Sequence, residues 1–208
     1  MSKKLWGGVV AAVIVLIGVG ALVLSSGEDA NATETDGAFV TEMAPHHESA
    51  IEMAEIAIER AEHPEIEALA RSIAASQGEE ITELEAIHQR LFDAPVGEVD
   101  HGTLGLAEHE MGMSADLSSL ESAKPFDRAF IDMMVPHHQG AILMARIELE
   151  QGADDEAQAL AEQIIEAQTT EIEEMNEWRA EWYGEPSPAG GVSPEDSSAS
   201  PSHESMGH

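Results

Sequence analysis

The sequence matches itself at a constant offset of 91 residues, and this repeat limits the fold more than any other feature of the 208-residue chain. Asp36 falls on Asp127, Phe39 on Phe130, Met43 on Met134 and Pro45 on Pro136. His46 and His47 fall on His137 and His138, and Met53 falls on Met144. The register continues without insertion through Leu69 on Leu160, Ile73 on Ile164, Gln77 on Gln168 and Ile81 on Ile172, as far as Leu91 on Trp182. Each copy is therefore one supersecondary unit, built twice.

That unit reads as two helices. Ala, Glu, Ile, Leu and Met abound while aromatics make up 4% of the chain, a balance that favours helix over strand. Asp36 reads as the N-cap of a first helix ending near Ala61. A second helix opens at "HPE", where Pro64 suits the first helical position and Glu65 the positive end of the dipole, and it ends near Asp93. Its apolar residues Ile66, Leu69, Ile73, Ile81, Leu84 and Leu91 keep helical spacing. The third helix runs from Phe126 to about Gln151, stopped by Gly152, and the fourth from about Asp155 to Tyr183, stopped by Gly184. Two hairpins joined by one longer connection predict an all-α, four-helix bundle. The bundle spans 36–184, with repeat 1 at 36–93, the connection at 94–124 and repeat 2 at 126–184. A short helix is expected within "SADLSSLES" of the connection, and the Pro, Ser, Gly and acid-rich tail 185–208 reads as disordered.

Residues 1–27 read as a membrane anchor or signal segment, followed by a linker at 28–35. Lys3 and Lys4 precede an apolar run from Leu5 to Leu24, long enough to cross a bilayer as a transmembrane helix. "ANA" at Ala30–Ala32 offers a cleavage site, so a retained anchor and a cleaved signal both remain open. In either case the lysines stay cytoplasmic and the domain is expected outside the cytoplasm, anchored or secreted. The 41 acidic and 9 basic residues leave a formal charge of −32, which repels nucleic acid and anionic lipid. Contact with a membrane is thus expected through the N-terminal segment alone. With no cysteine, disulfides, thiolate metal sites and thiol nucleophiles are all excluded.

Function is concentrated in the stretches "EMAPHHESAIEMA" (Glu42–Ala54) and "MMVPHHQGAILMA" (Met133–Ala145). Phe39, Met43, His46, Ala50, Met53 and Ala57 share one helical face, with His47 at its border. Phe130, Met134, His137, Ala141 and Met144 repeat that face beside His138, and Met133 adds a sulfur at its edge. A lone Met on such a face is ordinarily core filler, and a lone His a satisfied core residue. Two PHH triplets are different, because buried imidazoles need partners. Joint Met and His points to metal.

Ligand type selects which metal. Thioether sulfur is soft and neutral and favours Cu(I), while imidazole accepts either copper state. Zinc gains little from Met. Carboxylate-bridged iron in a bundle needs Glu-x-x-His from two helices, and the one match on the four long helices, Glu85 with His88, has Asn176 and Arg179 at the equivalent positions. Copper, with Cu(I) favoured, is therefore the expected ligand. Gln77 and Gln168 face inward, placed to hydrogen-bond the histidines. Met175 also faces inward and is expected to complete the second site beside Met134 and Met144, whereas its counterpart is Leu84. Two weaker candidate groups sit outside the bundle core: His109, Met111 and Met113 in the connection, and His203, Met206 and His208 in the tail. Both are expected to face solvent and capture metal. A site that mixes His with Met should lose affinity as the imidazoles protonate near their reference pKa of ~6.5.

"DGAFVTEMAPHHESAIEMA" and "FDRAFIDMMVPHHQGAILMA", with "QTTEIEEMNEW" in the second copy, resemble the family called domain of unknown function 305. The resemblance covers about Asp36–Gly184 and implies a ferritin-like helical bundle that binds copper without catalysis. Carried over by position, it implies the ligands Met43, His46, His47 and Met53, then Met134, His137, His138 and Met144. The expected function is an exported copper-binding protein for sequestration, resistance or delivery, working with copper ions and other exported copper-handling proteins. The competing expectations are a ferritin-like metal-dependent oxidoreductase and a purely structural bundle.

Overall fold

A computed structural model describes residues 33–114 and 116–192. The N-terminal apolar run and the tail beyond Val192 lie outside the described residues. Five helices occur among those described: α1 (Glu34–Arg60), α2 (Pro64–Phe92), α3 (Leu117–Ser122), α4 (Phe126–Gln151) and α5 (Asp155–Tyr183). The four long helices form the two expected hairpins, and the short helix lies within "SADLSSLES" of the connection. Each of α1 and α4 runs uninterrupted through its internal proline, Pro45 and Pro136. None of the described helices is long and apolar enough to cross a membrane.

The four long helices pack in the ring order α1, α2, α5, α4, with α1 against α4 joining the copies and α2 meeting α5 more lightly. Two apolar clusters form the core. One includes Met53, Met134 and Met175, and the other Met43, Met144 and Leu84. Because Met53 shares a cluster with Met134 and Met43 with Met144, α1 and α4 run antiparallel across a pseudo-twofold axis. Each fully buried Met contributes roughly 1.5–3 kcal/mol of apolar burial.

Asp36 corrects the expected start of α1. The N-cap is Thr33, whose hydroxyl accepts from the Asp36 amide at 3.1 Å, while the Asp36 carboxylate accepts from the Thr33 backbone in return. This capping box puts Asp36 one turn inside, where a buried carboxylate oxygen is left to spare. Asp36 Oδ1 accepts from the amides of Ala153 and Asp154, both at 2.9 Å, in the turn between α4 and α5. Asp127, its repeat mate, accepts from the amides of Glu62 at 2.9 Å and His63 at 2.8 Å, in the turn between α1 and α2. Each copy thus ties down the hairpin turn of the other.

The tail also begins differently from its expected disorder, since its first residues dock on the bundle. Arg179 donates to the carbonyls of Glu185 at 2.6 Å and Pro186 at 2.8 Å, and forks onto Asp132 at 2.6 and 3.0 Å. Asn176 accepts from the Ser187 amide at 2.8 Å and donates to Gly190 O at 2.9 Å. Composition alone hides this docking because the tail's partners are backbone carbonyls and an amide, which almost any residue carries.

Candidate metal centre

At the crossing of α1 and α4, the His46 and His137 rings lie with centroids 3.8 Å apart and planes tilted by 35°. His47 and His138 flank them at 6.4 Å from their sequence neighbours. All four imidazoles are buried. The structure therefore joins the two PHH triplets in one central arrangement, which the separation of 91 residues in sequence conceals.

The imidazole tautomers follow from the partners. Met111 O, an acceptor only, lies 2.8 Å from His46 Nε2, so His46 donates from Nε2 and keeps a lone pair on Nδ1. His138 Nε2 donates to Glu171 Oε2 at 2.8 Å. His47 Nε2 lies at the same distance from Glu80 Oε2, though off the line of a hydrogen bond. Glu80 and Glu171 are themselves repeat mates. A carboxylate behind each outer imidazole fixes the ring and directs the opposite nitrogen inward.

The inward nitrogens have no protein partner. Nδ1 of His46, His47, His137 and His138 and Nε2 of His137 are all buried and unbonded. Leaving such atoms unpaired ordinarily costs about 1–3 kcal/mol each. Burial pushes the His46 imidazole down to about 3, with the charges of His47 and His138 adding to it and the Met111 carbonyl opposing. His137 is held well below the ordinary imidazole range, first by burial and then by His46, His138 and His47. The inner pair is thus neutral and metal-competent far into acid. This corrects the expectation that protonation near ~6.5 would empty the site through these two residues.

The methionines surround the histidines, but not as one set per copy. Met43 and Met53 are ten residues apart on α1, about 15 Å along the axis, too far to share an ion. Instead Met53, Met134 and Met175 gather in one cluster, with Met133 half-buried at its edge. Met43 and Met144 gather in the other with Leu84. Met175 therefore shares a cluster with Met134 and lies in a different one from Met144. Every pole draws on both copies.

Gln77 and Gln168 do not pair with the histidines: Gln77 Oε1 and both amide atoms of Gln168 are buried without partners. Glu80 and Glu171, one turn further on, take that role. Their signal was present in the repeat, as identical residues three positions beyond an identical glutamine. His88 donates from Nδ1 to Ala94 O at 2.7 Å and meets His101 Nε2 at 2.9 Å, a pairing that no spacing in the sequence announces. In the connection His109 is exposed as expected, whereas Met111 and Met113 are half-buried. His203, Met206 and His208 lie outside the described residues.

Among the described residues no three His, Cys, Asp or Glu side chains converge as a metal cluster. The buried side chains that α1, α4 and α5 add on the same faces as the imidazoles include the thioethers of Met43, Met53, Met134, Met144 and Met175. That mixture suits a soft cation.

The family model for a domain of unknown function, DUF305, matches residues 36–179 and 147–207. The solved structure of CopM in the Cu(I)-bound form is similar at 40% identity and a TM-score of 0.61, covering 72% of this chain and 98% of that one. A DUF305 fragment from Deinococcus radiodurans is similar at 30% identity and a TM-score of 0.62, covering 72% and 98%. A putative secreted DUF305 protein from Streptomyces coelicolor is similar at 26% identity and a TM-score of 0.64, covering 73% and 94%. No curated protein matches the chain.

Proposed function

The chain belongs to the DUF305 family, and from its paired centre we propose that it is an exported copper-binding protein that sequesters or delivers Cu(I) without catalysing a reaction. The observation that carries this reading is the set of buried, partnerless imidazole nitrogens at the α1–α4 crossing, with methionine-bearing apolar clusters on either side. Similarity to CopM, which has been solved with Cu(I), Cu(II) and Ag bound, supports copper in particular.

His46, His47, His137 and His138 would supply nitrogen, and Met43, Met53, Met134, Met144 and Met175 sulfur, with Met133 in reserve at the edge. Cu(I) is favoured because neutral sulfur and imidazole hold it without losing protons, so binding and release need no proton transfer. The carboxylates of Glu80 and Glu171 would orient the outer histidines. Export rests on Lys3, Lys4 and the apolar run Leu5–Leu24, whether retained as an anchor or removed. Outside the cytoplasm a thiol-free site has the advantage of resisting oxidation to a disulfide.

Competition for Cu(I) against a chromophoric chelator, with the metal content of the purified chain, tests this reading. Tight Cu(I) that is lost in a His46→Ala, His137→Ala variant supports it. Iron with oxygen consumption would favour the oxidoreductase, and no metal at all a purely structural bundle.

A further inference from the structure

Resting on the copper-binding reading, we propose that Met111 supplies the third thioether of the cluster in which Leu84 replaces a sulfur, completing a second site for Cu(I) or a like soft monovalent cation. The repeat leaves the two clusters unequal. Met53, Met134 and Met175 belong to one apolar cluster, whereas the other holds Met43 and Met144 with Leu84, which offers no donor atom. The connection then brings Met111 against that second cluster. The connection's other residues packed there, Val96, Leu104 and Leu106, are all aliphatic.

Three local features hold Met111 in place. Its carbonyl accepts from His46 Nε2 at 2.8 Å, which ties the connection to the central imidazoles. Gly112 has φ 70° and packs so closely that an added Cβ would lie 2.4 Å from Pro136 O and 2.5 Å from His137 Cα. Gly140 is crossed by Met111 itself, whose carbonyl oxygen and carbon would lie 2.2 and 2.3 Å from an added Cβ. At the position matching Gly140 the first copy carries Ser49. Glycine at 140 thus breaks the repeat where Met111 crosses, just as Leu84 breaks it where a sulfur is missing. The two departures compensate.

A half-buried packing residue would serve equally well as Leu or Ile, so a role in packing alone predicts that Met111→Leu is silent. Three neutral sulfurs suit Cu(I) without any carboxylate or thiolate. The connection would then be both wall and ligand, and metal at this cluster would hold the 94–114 segment against the bundle.

The test is Cu(I) and Ag(I) binding to the full chain in detergent, comparing wild type, Met111→Leu, and Met111→Leu combined with Leu84→Met. Sites in the tail are common to all three and cancel in the comparison. Met111→Leu is expected to weaken one tight equivalent by at least about tenfold, and Leu84→Met to restore it by putting a sulfur back at the repeat position. Unchanged binding in Met111→Leu, or a loss that Leu84→Met does not restore, overturns the proposal. If His46→Ala, His137→Ala still abolishes binding in that event, the copper-binding reading stands alone. If the wild type takes no tight Cu(I) or Ag(I), both fall.

Discussion

His46 and His137, 91 residues apart in sequence, meet ring to ring with centroids 3.8 Å apart, each buried and each with an unpaired Nδ1. Two neutral imidazoles gain little from such contact by themselves. A cation between or beside them would satisfy both nitrogens at once. Replacing both by alanine should therefore abolish the tightest Cu(I) binding while leaving helix content by circular dichroism close to wild type, since the helices are held by clusters at either side.

The carboxylates behind the outer histidines should act through them. Glu80→Gln and Glu171→Gln remove the charge that holds His47 and His138 in their rotamers but keep the shape. Each is expected to weaken Cu(I) affinity by roughly 10–100-fold, measured by chelator competition. Equal affinity in both variants would show that the outer rings need no orientation.

Met175→Leu separates packing from ligation at the cluster with Met53 and Met134. The volumes are close, so unfolding free energy should fall by less than ~1.5 kcal/mol. Sulfur scattering around bound copper in X-ray absorption should nevertheless drop, and Cu(I) affinity with it. An unchanged sulfur signal would make Met175 core filler.

Much of this was legible in the sequence, and the repeat explains why. An ungapped self-match fixes helix number and pairing, and the Pro64, Gly152 and Gly184 punctuation fixes most boundaries. The four histidines and the core methionines could be named from spacing on one face. Their grouping could not, because which face meets which depends on α1 crossing α4 antiparallel, a relation between copies that periodicity within a helix does not contain. The same holds for Asp36 and Asp127. Asp36 reads as a cap on its own helix and Asp127 as its repeat mate, and the role of each in the other copy's turn appears once that turn is brought beside it.

That cross-tie carries a stability prediction. Asp127→Ala would leave the amides of Glu62 and His63 without their acceptor, and Asp36→Ala those of Ala153 and Asp154. Each should cost about 2–4 kcal/mol in denaturant unfolding. Losses well under 1 kcal/mol would mean that water takes over the turns.

Glu148 gives the bundle a slope with pH. It is fully buried on α4, and burial, followed by the neighbouring carboxylate of Asp36 and the charge of Asp154, raises it from 4.5 to about 8. Asp36 itself is lowered: burial alone would raise it, but Thr33 and the amides of Asp154 and Ala153 outweigh that. Between about 4.5 and about 8 the folded protein keeps a proton on Glu148 that the unfolded chain has lost. This group's contribution to stability is therefore full below that window, declines as pH rises through it, and is flat above. Glu148→Gln should remove that decline, which is on the order of a few kcal/mol across the window. Urea titrations at about pH 5, 7 and 9 would show it. A wild-type and variant difference that does not change with pH would contradict the buried, protonated carboxyl.

The paired centre is tested most directly by anomalous diffraction from crystals of the bundle soaked with Ag(I) or Cu(I). A peak is predicted between α1 and α4, within coordinating reach of His46 or His137 Nδ1 and of thioethers from both copies. Metal found only at exposed histidines such as His109, or no ordered metal at all, would contradict it.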